Sequence, residues 1–200
     1  MGNGSDQPNQ PAAASLRADL RARTGPLHQQ AEGALALMDP AMSKERYRAV
    51  LSVLHAFYAE LEPAIAAHAS GWARLGIDMP ARRKLHLLEA DLASLGARVE
   101  KAGAAASLPT FPDAVGAAYV VEGATLGGAV IHRHLSTALG FGEGPGARFF
   151  DAYGEETGPR WKEFAAALDK TGFDAADRER AVASAVRTFA RLLSLARQAL

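Results

Sequence analysis

Between Tyr47 and Leu61 the apolar side chains fall at Tyr47, Val50, Leu51, Leu54, Phe57, Tyr58 and Leu61. This alternation of three- and four-residue steps places them on one broad stripe of a helix. Similar spacing returns along most of the chain. β-Branched residues are sparse, and no stretch alternates apolar with polar for long. Amphipathic helices bury their stripes against one another, so the pattern predicts an all-α fold of about six to eight helices around one core.

Capping residues divide the pattern. Ser15 caps a first helix holding Leu16, Leu20, Leu27 and Leu35, with Thr24-Gly25-Pro26 as a point of kinking and Met38-Asp39-Pro40 as its end. Ser43 caps the second helix. A third is expected around Arg82 to Leu95, with the run Arg82-Arg83-Lys84 as its solvated start. Gly96 to Pro112 reads as a loop. Thr110 caps a fourth helix running through Tyr119 and Ile131 to about Leu139. Gly140 to Gly146 breaks the pattern, short helices follow near 147–153 and 159–168, and Asp174 caps the last helix.

Composition narrows the function. Lys plus Arg and Asp plus Glu both total 22, so no net charge draws the whole surface to nucleic acid or to an anionic membrane. With no cysteine, disulfides, thiolate nucleophiles and iron–sulfur clusters are excluded. Metal chemistry must then use His, Asp, Glu, Tyr or Met. Residues 1–14 read as a disordered polar tail ahead of one domain over 15–200. They carry no basic-then-apolar leader pattern, and no apolar run is expected to span a bilayer, which points to a cytoplasmic protein.

Two segments carry candidate chemistry. In Leu20-Arg21-Ala22-Arg23-Thr24-Gly25-Pro26-Leu27-His28-Gln29-Gln30-Ala31-Glu32, His28 lies on the inward stripe and Glu32 follows at the neighbouring helical position. A carboxylate there can accept the spare ring N–H of His28 and aim the other nitrogen at a metal. The same pair also suits a core histidine bonded to its neighbour. The second segment, Tyr119-Val120-Val121-Glu122-Gly123-Ala124-Thr125-Leu126-Gly127-Gly128, places three glycines within six residues of a helical run. Each glycine costs roughly 0.5–1 kcal/mol relative to alanine. Close helix–helix contact at Gly123 and Gly127 would offset this. So would bare backbone lying against a large flat ligand.

Together the segments resemble the heme oxygenase family. Leu20-Arg21, Thr24, His28 and Glu32 reproduce the family's axial-histidine setting, and Tyr119, Glu122-Gly123 and Leu126-Gly127-Gly128 its distal helix, about ninety residues later. The likeness covers Ser15 to Leu200 and is strongest to the bacterial branch found with phytochrome photoreceptors. It implies a single-domain multi-helix bundle with heme sandwiched between the first helix and a glycine-kinked distal helix. His28 would be the iron ligand and Glu32 its partner, Arg21 would meet a propionate, and Tyr119 and Phe189 would pack on the heme. Gly123, Gly127 and Gly128, with Glu122, would form the catalytic distal face.

The implied activity is oxidative cleavage of heme, both cofactor and substrate, to biliverdin, carbon monoxide and ferrous iron. It uses O2 and electrons from a separate reductase or small carrier. Arg17, Arg21 and Arg23 offer a docking surface for that donor, and a phytochrome is a recipient for biliverdin. One departure stands out: many animal members carry aspartate where this chain has Ala124. Water near the iron must then be held by Glu122, Thr125 or backbone carbonyls. The same departure supports a second reading, a non-catalytic heme-binding or heme-sensing protein on this fold.

Overall fold

A computed structural model of the chain describes residues 15–99, 103–141 and 146–200. The tail expected over 1–14 lies outside them. Helix α1 spans Leu16–Leu35, and the Ser15 hydroxyl accepts from the Ala18 amide at 3.2 Å. The helix does not restart at Thr24-Gly25-Pro26: Pro26 sits inside one continuous helix. Proline removes one helical hydrogen bond, but Leu16, Leu20, Thr24, Ala31 and Leu35 are buried and hold the helix to its neighbours on either side of that point. Ala36, in the left-handed region at φ 47°, ends α1 by donating to the Glu32 carbonyl.

Helix α2 (Lys44–Ala66) starts at Ser43 as expected and buries Val50, Leu51, Leu54, Phe57 and Leu61. Contrary to the sequence expectation, α2 is long and apolar enough to cross a membrane, and so is the bent pair α5 and α6 described below. In α2 that apolarity faces the core, with 67% of the apolar window buried. A short helix α3 (Ala69–Arg74) follows, too brief to show a period in the sequence. It buries Trp72, whose indole N–H donates to the Ile65 carbonyl at 2.8 Å.

The third predicted helix begins later than expected. Pro80–Arg82 forms a 3-10 turn and α4 runs over Leu85–Ser94. A residue of α2 sets the start: Glu62 Oε1 accepts from the Lys84 amide at 2.5 Å and the Leu85 amide at 3.1 Å. It thereby caps α4 from a distance. Arg82 and Lys84 are 4% and 1% exposed, so of the run expected to be solvated only Arg83 faces solvent.

Thr110 and Asp113 form a reciprocal capping box at the start of α5 (Phe111–Gly123). The single helix expected from there to Leu139 is two, α5 and α6 (Gly128–Leu139), bent by 45° across a turn at 124–127. A 3-10 turn at Arg148–Asp151 and another at Gly154–Glu156 lead into α7 (Thr157–Leu168). Helix α8 (Ala175–Ala199) is capped by Asp174, which accepts from the Asp177 amide at 2.8 Å.

The eight α-helices described, with no strand among the described residues, close around one hydrophobic cluster. Helix α8 is its spine. On one side α5 approaches so closely that a Cβ on Gly116 would lie 2.0 Å from the Ala181 carbonyl oxygen; glycine is required there. Helix α1 also packs on α8 and runs parallel to it, joined by Asp19 to Arg178 at 2.6 Å near its start and His28 to Phe189 further along.

Candidate functional site

His28 projects from the middle of α1 with 52% of its side chain exposed, so it is not enclosed in the core as an inward stripe would require. Its Nδ1 lies 3.5 Å from Glu32 Oε2, the neighbour expected from the spacing. Its ring stands edge-on to Phe189 of α8, centroids 6.0 Å apart, and Phe189 is buried beneath it. Turning Nδ1 to a carboxylate fixes the tautomer and leaves Nε2 as the basic nitrogen.

Two contacts align α1 with the bent pair. Near one end, Tyr119 of α5 lies beside Thr24. Burial raises the tyrosine hydroxyl above its usual pKa range, against the Thr24 hydroxyl bond and the charges of Arg21 and Arg17. At the other end the His134 imidazole of α6 meets the Asp39 carbonyl at 3.2 Å, just past α1. The stretches 24–39 and 119–134 therefore run side by side in the same direction. His28 and Glu32 lie on one; Gly123 and Gly127 lie on the other.

The glycines divide by environment. A Cβ on Gly128 would meet the Phe150 carbonyl oxygen at 2.0 Å, so protein packing alone demands glycine there. Gly123 and Gly127 are different. A Cβ would find nothing nearer than the Trp161 ring at 3.8 Å for Gly123 and the Ile131 side chain at 3.8 Å for Gly127, ordinary contact distances. Close helix–helix contact therefore does not explain these two glycines. Since His134 turns towards α1, helical spacing brings Gly127 and Val130 to that same side. Val130 is 60% exposed. Leu126 and Met38, on the same two stretches, are also exposed large apolar residues. Exposed large apolar side chains thus lie on both stretches.

Glu122 is placed differently from its neighbours. Its carboxylate is 3% exposed and pairs with Arg82 and with Lys84, the latter at 2.6 Å, while Tyr153 donates to Oε1 at 2.9 Å. Burial works against the Arg82 charge, but Glu122, Tyr153 and Glu163 outweigh it and raise its pKa. For Lys84 burial wins and lowers the ammonium pKa despite Glu122. Burial, then the Glu122 charge, also pushes the Tyr153 hydroxyl up. Thr125 donates to the Glu122 carbonyl at 2.7 Å, and Ala124 is exposed just beyond Gly123.

Sequence reasoning did not assign Arg82, Lys84 or Tyr153 to this cluster, since nothing local marks a basic run as buried. Asp91 did leave a signal. It lies three residues after Leu88 and one before Leu92 on the buried stripe of α4.

Chemically, the two neighbouring stretches offer one imidazole on 24–39, uncrowded glycine backbone on 119–134, exposed apolar residues, and Arg21 and Arg17 near Tyr119. Among the described residues no group of three or more His, Asp or Glu side chains gathers to cage a metal ion. A metal that brings its own in-plane ligands needs only one axial histidine. These residues fit an iron porphyrin.

Comparison with known proteins gives a consistent result. The family model described as heme oxygenase matches residues 14–110 and 97–198. The fold is similar to the NO- and CO-bound heme oxygenase of Neisseria meningitidis, with a TM-score of 0.81 at 22% identity over 94% of this chain and 92% of that one. It also resembles heme oxygenase from Leptospira interrogans, with a TM-score of 0.78 at 19% identity over 92% of this chain and 100% of that one. Heme oxygenase-1 of the cyanobacterium Synechocystis, solved in complex with heme, gives 0.72 at 19% identity over 92% of each chain. No curated protein matches the sequence.

Proposed function

The chain belongs to the heme oxygenase family, and on that premise we propose that it binds heme between α1 and the α5–α6 bend and opens the ring to biliverdin, carbon monoxide and ferrous iron. The observation that carries this reading is the pairing of a half-exposed His28 with two glycines, Gly123 and Gly127, that no protein atom crowds. When bound, heme supplies the iron at which O2 is reduced and the carbon that is oxidised.

The chain's own residues do the rest. His28 would hold the heme iron through Nε2, with the Glu32 carboxylate, 3.5 Å from Nδ1, favouring the proton there. Phe189 backs the imidazole and limits its rotation. Arg21 and Arg17 attract the propionates, and Tyr119, held protonated by burial, stays a donor beside them. Gly123 and Gly127 admit the ring close to bare backbone, whose carbonyls hold water where Ala124 offers no carboxylate. Gly128 and Glu122 shape this face from behind, through Phe150 and the buried charge cluster.

The sequence carries no flavin or nicotinamide fingerprint, so electrons come from a separate reductase or small carrier. Arg17, Arg21 and Arg23 form its docking surface, and the setting is the cytoplasm, with a phytochrome as one recipient of biliverdin. Titrating hemin and then adding ascorbate tests the reading. Wild type is expected to develop a Soret band and then biliverdin absorbance. His28→Ala should bind hemin on the order of 10²-fold more weakly, about 2.8 kcal/mol. A Soret band with no biliverdin would favour the non-catalytic binder. No Soret band, or His28→Ala binding as wild type, would overturn the proposal.

A further inference from the structure

The 45° bend between α5 and α6 is not fixed by its own turn. The backbone bonds across 124–128 are all short in range: the Ala124 amide to Val120, Thr125 to Glu122, Leu126 to Gly123, Gly128 to Thr125 and Ile131 to Gly127, at 3.0–3.2 Å, with the Thr125 hydroxyl also on the Glu122 carbonyl at 2.7 Å. Such turns tolerate a range of angles. Three contacts from one distant segment span the bend instead. Before it, Tyr153 donates to Glu122 Oε1 at 2.9 Å. After it, the bare face of Gly128 lies on the Phe150 carbonyl, and His132 Nδ1 donates to the Ala147 carbonyl at 2.9 Å.

That segment is itself pinned by a buried carboxylate. Asp91 of α4 is 0% exposed. Its Oδ1 accepts from the Gly146 amide at 3.1 Å and the Arg148 amide at 3.0 Å, and its Oδ2 from the Phe149 amide at 2.9 Å. Hydrogen bonds to an ionised acceptor are the stronger kind, and in low dielectric breaking one leaves a costly orphan. Tyr47 adds a bond to the Gly146 carbonyl at 2.7 Å.

We propose that residues 146–156 act as a splint that sets the bend, with Asp91, His132 and Tyr153 as positioning residues that fix where Gly123 and Gly127 lie over the substrate. This rests on the heme reading above. None of the three needs to touch the ring. Each acts through the backbone that does.

His132→Ala and Tyr153→Phe each remove one tie, on opposite sides of the bend, while leaving Asp91 in place. In the heme-free protein, amide hydrogen exchange over 124–131 is expected to quicken roughly two- to tenfold in each variant, matching one lost hydrogen bond. In the heme-loaded ferrous protein the stretching band of bound carbon monoxide is expected to shift. His132→Gln, whose amide can reach the same carbonyl, should restore both readouts. Asp91→Asn should loosen both sides at once, and the His132 and Tyr153 variants decide the matter if it fails to fold. Wild-type exchange rates in both variants, or an unmoved carbon monoxide band, would overturn the splint. Failure of wild type to bind hemin would overturn the heme reading instead, and the exchange measurement would still judge the splint.

Discussion

His28 and Glu122 stand at the centres of the two facing stretches in opposite surroundings. The His28 side chain is half in solvent and its one polar neighbour, Glu32, is more exposed still. The Glu122 side chain is almost sealed and answers to Arg82, Lys84 and Tyr153. One stretch presents a reactive group on a helix that needs nothing from it. The other presents bare backbone whose shape is kept by charges behind it. The proposed function and the stability of the fold thus fall to different residues, and substitutions separate them.

The largest effect is expected at Glu122. Glu122→Ala leaves Arg82 and Lys84 buried without their shared carboxylate, and breaking a buried pair in this way costs about 3–5 kcal/mol. Urea unfolding of the heme-free protein measures it. A loss under about 1 kcal/mol would mean that the cluster is not what holds this side together.

Alkaline pH probes the same buried side next. Burial raises the hydroxyl pKa of Tyr47, Tyr58, Tyr119 and Tyr153 above the usual 10.0. The unfolded chain gives up these protons first, so their contribution is whole below about pH 10 and is lost as the pH rises further. Lys84 has the opposite sign. Its lowered pKa makes the folded state bind fewer protons below 10.5, so stability there rises with pH. Four tyrosines outweigh one lysine, and the urea midpoint should fall between about pH 9 and about pH 11. Tyr153→Phe should make the fall shallower; a midpoint that rises instead would break the account.

The exposed side sets the small end of the scale. His28→Ala should change the stability of the heme-free protein by no more than about 0.5 kcal/mol, whatever it does to hemin binding. A larger loss in thermal unfolding would mean that the imidazole is structural. Arg23→Ala removes a pair with Glu179 in which both side chains are more than half exposed, at 3.4 Å. Its effect should be smaller still, within about 0.3 kcal/mol, and should vanish in high salt.

The two stretches were also unequally legible. His28, Glu32 and Arg21 share one helix, so spacing alone related them. The capping residues Ser15, Ser43, Thr110 and Asp174 marked four helix starts, because a cap acts within one turn of its own position. The start of α4 was misread because its cap, Glu62, comes from another helix. Arg82 and Lys84 look like a solvated run until Glu122 arrives from some forty residues away. The three glycines drew attention as a group, yet only the packed structure separates Gly128, which protein backbone demands, from Gly123 and Gly127, which it does not.

What the chain order determined by itself is everything that acts over one helical turn: periodicity, caps, the His28–Glu32 neighbourhood and the weak point at the glycines. Packing decided which charges are buried, which glycine is crowded and by how much the distal helix bends. Local backbone bonding is short in reach, whereas burial and the bend angle depend on groups brought together from α2, α4 and the 146–156 segment, whose meeting no local pattern encodes.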